Sequence, residues 1–279
     1  MPRLPINAQL WRDRSEIDYL GPFVKAWAAF NAWFRHECNS RRDRDGLNYI
    51  KGRVNPVRSE LLPLLRPREN DEHGRPRPVS EGALKFRLLV RDLHVRLDAY
   101  QLEVHRDDVL ERISFRAVCL ANGANLPRRR EFNRQNYEIN KLNGRWVSTV
   151  VQLVTGQQRC RIEQGAYSAI ALQADQGFAS LSEPQRAQLL SLYQEANPRP
   201  LKDLITGQNA PIIAGDIEFR CTDEELFGGL IEVLYAMRNA VLHGELQPEE
   251  DALSCYEPAY RIIHRMLDCL RWQSCRLAV

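Results

Sequence analysis

The sequence predicts a mainly α fold, a helical bundle that forms one domain over residues 1–279. Two observations carry this prediction. Apolar residues recur at spacings of three and four in an aromatic stretch at 19–34 and again in the C-terminal stretch 222–272. That spacing is typical of amphipathic helices. A β-branched stretch at 146–154 leaves room for a small β element in the middle of the chain.

The composition indicates a soluble, reduced protein. Hydrophobic residues make up 44% and charged residues 27% of the chain, as in ordinary globular domains. Of 39 lysines and arginines only five are lysines; we favour a GC-rich genome as the cause, with phosphate or carboxylate binding by arginine as the alternative. Seven scattered cysteines without a CxxC pair argue against a disulfide scaffold. Because no apolar run suits a signal peptide or a membrane span, we expect a cytoplasmic protein without a membrane partner.

The first predicted helix carries an aromatic face. It begins at Ser15 as cap, or nearer Gly21, since Pro22 falls in its first turns. The residues before it, 1–14, are predicted to be extended. Its apolar face is Tyr19, Phe23, Trp27, Phe30 and Phe34. Asn31 lies within this face, and we expect its amide to be hydrogen-bonded in the core.

The next part of the chain alternates charged loops with predicted helices. Residues 36–48 are charged and turn-like, and a short helix is predicted at 47–65. Residues 66–82 are rich in Pro, Gly and charge, which favours an exposed loop. A helix capped by Ser80 is predicted to run to about residue 104, and another covers about 107–121.

The region at about 120–220 is interpreted as an inserted or accessory part of the domain. We favour a helix at 132–154, although its β-branched second half also fits a strand followed by a turn and a second strand. A helix at 182–196 has a proline in its first turn. A short helical turn is predicted at 201–205, and then a loop or short strand up to residue 219.

The C-terminal stretch 222–272 is predicted to form an antiparallel helical hairpin. Thr222 and Glu225 have the spacing of a capping box. Gly244 is positioned to end the first helix, and Pro248 begins the second. The apolar stripe of the first helix is Leu226, Leu230, Val233, Leu234, Met237 and Val241.

The last turns of the first hairpin helix carry the candidate site. Asn239 and His243 lie one turn apart, and Glu232 lies on the same row, where we assign it a supporting role. Arg238 lies at the edge of the apolar stripe. On a regular helix Arg238 and His243 are separated by roughly 140° and about 7.5 Å. Either a bent helix end or a second copy across a two-fold axis is therefore needed to bring them together.

Each of these residues also has a structural interpretation. A histidine at a helix C-terminus is favoured by the helix dipole, so His243 would need no catalytic role. Arg238 would then be a structural arginine. Glu232 would lie on a solvated or salt-bridged helix face, the interpretation that we favour for that residue.

With Arg238, Asn239 and His243 separated by these spacings, the chain resembles the HEPN superfamily. Ribonucleases of that family carry an Arg followed after four to six residues by a His, often with Asn, Asp or His directly after the Arg. The aromatic helix with Asn31 also resembles the first helix of large bacterial HEPN proteins of abortive-infection type. A toxin branch has Tyr two residues after the His, where this chain has Glu245, so the resemblance does not extend to that branch.

This resemblance implies a metal-independent endoribonuclease. The RNA 2′-hydroxyl would attack the adjacent phosphate, with His243 as acid or base, Arg238 stabilising charge and Asn239 orienting the His or a phosphate oxygen. The expected partners are RNA and a second copy of the chain, with no cofactor and no metal, and the expected role is in phage defence or as a toxin. The alternative is a non-catalytic RNA-binding or dimerising interaction protein of the same family.

Overall fold

The structure combines helices with antiparallel sheets. It is a computed structural model that describes residues 18–67, 73, 77–106, 109–120, 126–246 and 249–270. About 52% of it is helix and 18% is strand, and the strands form four antiparallel sheets within these ranges. The prediction of a mainly α, HEPN-like helical bundle is therefore wrong. The reason is that short alternating segments in the middle of the chain pair their backbones with one another rather than within helices.

The chain divides into two compact units. One, which we call the terminal unit, takes the described residues up to Val118 and from Lys202 onward, and the other, the insert unit, is Cys119–Leu201. The insert unit overlaps the region 120–220, for which the sequence predicts an accessory part of a single domain.

The terminal unit contains most of the long helices. Their bounds are α1 Leu20–Cys38, α2 Asp43–Gly52, α3 Pro56–Leu61 with a 3₁₀ turn at Leu62–Leu65, α4 Glu81–Tyr100, α8 Asp223–Leu242, α9 Glu250–Ser254 and α10 Tyr256–Asp268. In α1 the predicted aromatic face is buried at Phe23, Trp27, Phe30 and Phe34. The later of its two predicted starts is confirmed, since α1 begins at Leu20. Ser15 and residues 1–14 lie outside the described residues.

Asn31 differs from its prediction. Its side-chain oxygen is buried but has no hydrogen-bond partner among the residues that the structure describes. The expectation of a hydrogen-bonded core amide is thus wrong for this oxygen.

The charged stretch after α1 is more helical than predicted. Residues 43–52 form α2, whose first turn carries Asp43 and Asp45, where acidic side chains interact favourably with the helix dipole. The single helix predicted at 47–65 is wrong because the chain breaks after Gly52. Asn55 then caps α3 by accepting a hydrogen bond from the Arg58 backbone N–H at 2.9 Å.

Two short hairpins belong to the terminal unit. Strands β1 Glu103–Arg106 and β2 Val109–Arg112 pair antiparallel, as do β9 Ile212–Ala214 and β10 Ile217–Phe219. The predicted helix at 107–121 is therefore wrong, and so is the extension of α4 to residue 104. The helix predicted from Ser80 is confirmed, because the Ser80 hydroxyl accepts from the Ala83 N–H at 3.2 Å.

The insert unit is built on a four-stranded antiparallel meander. Its strands are β4 Arg128–Phe132, β5 Gln135–Leu142, β6 Arg145–Gln152 and β7 Gln158–Gln164, and its helices are α5 Ala169–Ala174, α6 Gln176–Ala179 and α7 Glu183–Glu195. The helix favoured at 132–154 is wrong, and the strand alternative is confirmed. Asn143 and Gly144 both have positive φ, which a two-residue turn between strands requires. The proline-started helix predicted at 182–196 is confirmed as α7.

Two two-residue strands, β3 Val118–Cys119 and β8 Leu201–Lys202, lie where the chain passes between the units. The short helical turn predicted at 201–205 is wrong, because residues 201–202 form β8 and residues 203–205 are not helical.

The first helix of the C-terminal stretch forms as predicted. The Thr222 hydroxyl accepts from the Glu225 N–H at 3.1 Å, and a Glu225 carboxylate oxygen accepts from the Thr222 N–H at 3.0 Å, which confirms the capping box. Gly244 follows with φ +70. The second helix is divided into α9 and α10, and the Tyr256 hydroxyl at the start of α10 donates to the Met237 carbonyl of α8 at 3.1 Å.

Candidate functional site

His243 lies at the C-terminal end of α8 and is exposed. Its backbone N–H donates to the Asn239 carbonyl at 2.9 Å, so the helical hydrogen-bond pattern continues through this residue. No hydrogen bond or ion pair joins its imidazole to another residue in the described ranges. The ring is therefore accessible to solvent and to a ligand.

Arg238 is held in place by three groups. Its Nη1 donates to the Asn239 Oδ1 at 2.9 Å and lies 3.5 Å from the Asp43 Oδ2. Its guanidinium carbon lies 5.9 Å from the centre of the Tyr235 ring, within the range of a cation–π contact. The side chain is 18% exposed. Its Nε is buried and has no hydrogen-bond partner in the part of the chain that the structure describes.

Asp43, the first residue of α2, connects α1 to α8. Its Oδ1 accepts from Arg35 Nε at 3.1 Å and also from Arg35 Nη2, while its Oδ2 faces Arg238. The carboxylate is 16% exposed and the Arg35 side chain 42% exposed. One carboxylate thus lies between two guanidinium groups that come from different helices.

Glu232 lies on α8, about one turn before Tyr235, and also faces α2. It is buried, and its Oε1 accepts from Arg44 Nη1 at 2.6 Å and from Lys51 Nζ at 2.5 Å. The guanidinium carbon of Arg44 lies 5.5 Å from the Tyr235 ring. A substrate cannot readily reach this carboxylate. In the structure Glu232 forms a buried salt bridge that ties α2 to α8.

We call Arg35, Asp43, Arg44, Lys51, Glu232 and Arg238 the charged cluster. Its four cations exceed its two carboxylates, so the cluster carries an excess of positive charge. An excess of positive charge of this kind attracts anions and speeds their association with the protein.

A close contact between α1 and α2 brings the charged cluster together. Gly46 of α2 is buried against the Phe34 ring, and a Cβ at Gly46 would lie 2.1 Å from Phe34 Cδ2. Trp27 of α1 also contacts Tyr235 of α8, with ring centroids 6.1 Å apart. The sequence therefore needs glycine at this position to let α2 approach α1 and place Asp43 beside Arg35.

Within one chain the structure does not bring His243 to Arg238. Arg238 points to Asp43, while the exposed His243 makes no polar contact with any member of the charged cluster. The helix does not bend at this end, because the hydrogen bond from His243 to Asn239 is retained. Of the two arrangements that the sequence left open, the bent helix end is therefore not found.

Sequence reasoning missed most of the charged cluster. It interpreted residues 36–48, which contain Asp43 and Arg44, as charged and turn-like. The signal that was present is the alternation of Arg and Asp at 41–45. An acidic first turn directly before apolar Leu47 and Ile50 indicates a helix start.

Cysteine chemistry is disfavoured at the buried cysteines. Burial raises the pKa of the Cys221 and Cys255 thiols to about 12, so neither is a thiolate at neutral pH. Among the described residues no group of three or more His, Cys, Asp and Glu side chains is placed to hold a metal ion. In the same residues no helix has both the length and the apolar character to cross a membrane.

In comparisons with known proteins, no family model, no curated protein and no solved structure matches the chain.

Proposed function

We propose that this protein is a metal-independent endoribonuclease of HEPN type that acts as a cytoplasmic homodimer. The observation that carries the proposal is that one helix end presents both an exposed His243 and a largely buried Arg238, and that Arg238 belongs to a cluster with excess positive charge. A solvent-exposed histidine and an arginine that can bind a phosphate are the side chains that RNA cleavage through the 2′-hydroxyl requires.

The proposed reaction needs one base and one acid. A His243 imidazole takes the proton of the RNA 2′-hydroxyl as its oxygen attacks the adjacent phosphorus. The bond from phosphorus to the 5′-oxygen breaks, and that oxygen receives a proton from a second imidazole. The products are a 2′,3′-cyclic phosphate and a free 5′-hydroxyl. Arg238 stabilises the charge on the phosphate, and Asn239, whose Oδ1 accepts from Arg238, holds the guanidinium in place.

The second imidazole is the reason for a dimer. One chain supplies one His243, whose imidazole makes no polar contact with the guanidinium of Arg238. Two α8 ends that face each other across a two-fold axis would bring two His243 and two Arg238 together.

RNA cleavage in the presence of EDTA tests the proposal. Wild-type protein is expected to release 2′,3′-cyclic phosphate ends, and His243→Ala is expected to reduce the rate by about 10²–10⁴-fold because the acid and base are lost. Arg238→Ala is expected to reduce it by about 10²–10³-fold. His264→Ala, whose ring on α10 is also solvent-exposed, serves as the control. Equal rates in all four proteins would show that Arg238 and His243 are not catalytic.

A non-catalytic RNA-binding protein is the second candidate. The observation in its favour is that Arg238 is already paired with a carboxylate, Asp43. This candidate predicts RNA binding that weakens steeply with salt, without any cyclic phosphate product.

The expected cellular role is in phage defence or as a toxin. Expression of the wild type would then arrest growth and degrade cellular RNA, whereas expression of His243→Ala would not. Equal growth with both proteins would contradict this role.

A further inference from the structure

We infer that Arg35 and Arg238 form a two-arginine clamp for one phosphodiester group, and that Asp43 occupies the phosphate position in the unliganded chain. The inference rests on the proposed function for the identity of the ligand, RNA. It adds a second phosphate contact, from α1, that the Arg–His spacing on α8 does not contain.

The geometry of Asp43 supports the clamp. Each carboxylate oxygen is taken by a different arginine: Oδ1 by Arg35 and Oδ2 by Arg238. The two non-bridging oxygens of a phosphodiester likewise present two acceptors on a single centre. Arginine forks bind both kinds of group through the same charge-assisted hydrogen bonds.

Asp43 leaves part of Arg238 unsatisfied. Nη1 of Arg238 faces Asp43, but the buried Nε has no partner in the described chain. Nη1 and Nε lie on different edges of the guanidinium, so a phosphate in place of Asp43 is held through Nη1. Native proteins rarely leave a buried donor without a partner, and Nε is left for a second acceptor of the bound RNA, such as a ribose oxygen.

The clamp is open to a ligand on the Arg35 side. The Arg35 side chain is 42% exposed, so a phosphate can approach it from solvent. A partly exposed ion pair such as Arg35–Asp43 contributes little net stability. RNA can therefore displace the carboxylate, helped by the positive charge that the cluster retains.

RNA binding by non-cleaving protein tests the clamp. In a His243→Ala background, affinity for a short fluorescent single-stranded RNA is measured by anisotropy over a series of KCl concentrations. Asp43→Asn removes the competing charge while keeping the shape, and it is expected to bind RNA about three- to tenfold more tightly. Arg35→Gln is expected to bind about three- to tenfold more weakly, and its salt slope is expected to fall by about 0.7 because one phosphate contact is lost.

Arg220→Gln is the matched control. Arg220 is 44% exposed and pairs with a carboxylate, Glu218, but it lies outside the charged cluster. It is expected to bind RNA as the background protein does. Thermal melting of each variant checks folding, and if Asp43→Asn does not fold, the comparison of Arg35→Gln with Arg220→Gln decides alone.

The outcomes separate this inference from the ribonuclease proposal. If the wild type cleaves RNA but Arg35→Gln binds like Arg220→Gln, the clamp is overturned and the nuclease stands. Weaker binding by folded Asp43→Asn would also overturn it, because Asp43 would then support binding. Loss of binding in Arg35→Gln together with no cyclic phosphate from the wild type would keep the clamp and remove the catalysis.

Discussion

Glu232 shows how a candidate site residue can have a structural role. Its buried carboxylate accepts from Arg44 and Lys51, both on α2. The sequence placed Glu232 on the row of Asn239 and His243, but burial removes it from contact with a substrate. Its effect on function is indirect, through the position of α2 and therefore of Asp43.

The substitution Glu232→Gln is expected to lower the free energy of unfolding by about 1–3 kcal/mol, because two cations would face a neutral amide at a buried position. Urea denaturation measures this. Glu218→Gln is the control, since Glu218 is 48% exposed and pairs with a single arginine; it is expected to cost less than about 1 kcal/mol. Equal losses for both variants would show that Glu232 is not structural.

At the scale of single residues, the sequence predicts the relative positions of side chains that belong to one helix. The spacing of Arg238, Asn239 and His243 is readable because helical geometry fixes it. The pairing of Arg238 with Asp43 is not readable, because it depends on how α2 packs against α8. No local pattern encodes a contact between residues so far apart in the chain.

Among the elements, α2 decides the geometry of the charged cluster. It carries Asp43, Arg44 and Lys51, and it approaches α1 through the contact of Gly46 with the Phe34 ring. Phe34 is fully buried, so its ring has no space into which to move.

We expect Gly46→Ala to destabilise the protein by about 1–3 kcal/mol, because the added methyl group overlaps the Phe34 ring. Gly52→Ala on the same helix is the control, since a Cβ there meets no atom within 4 Å, and a neutral or slightly stabilising effect is expected. Denaturant unfolding of both variants gives the comparison. An equal effect of the two substitutions would show that the α1–α2 contact is not tight.

The elements that the sequence predicts well are those with strong end signals. The capping box at Thr222 and the proline start after Ser182 fix α8 and α7. In the insert unit a helix was favoured over the strand alternative because a β-branched run also fits a buried helix. The Asn143–Gly144 dipeptide is the turn signal that would have decided between them.

For the whole molecule, the fold class was predicted wrongly because the prediction relied on the helical periodicity of residues 19–34 and 222–272. Helices α1 and α10 lie toward the two ends of the described chain, whereas Cys119–Leu201 forms a separate unit on a four-stranded sheet. Helical periodicity at the termini says nothing about an insertion between them. The resemblance to HEPN proteins therefore concerns the candidate site and stays a prediction, while the predicted bundle does not stand.

The proposed active site, shared by two copies of the chain, predicts that the activity depends on concentration. Specific activity per chain is expected to fall on dilution, in parallel with the loss of dimer seen by sedimentation equilibrium, because a monomer offers one His243. A monomer with full specific activity would contradict the two-fold arrangement. His264→Ala is again the control, and it should follow the wild-type dilution curve.

The packing of α1 against α10 within the terminal unit has a consequence for biosynthesis. Helix α1 leaves the ribosome well before α10, because most of the chain lies between Cys38 and Tyr256. At about 5–20 residues per second, this interval is roughly 10–40 s. For most of that time the insert unit can fold, while α8 has not yet been made and cannot enclose Asp43 together with α2. Under the proposed function, a nascent chain would thus be unable to cleave the messenger RNA that encodes it until α8 has been translated.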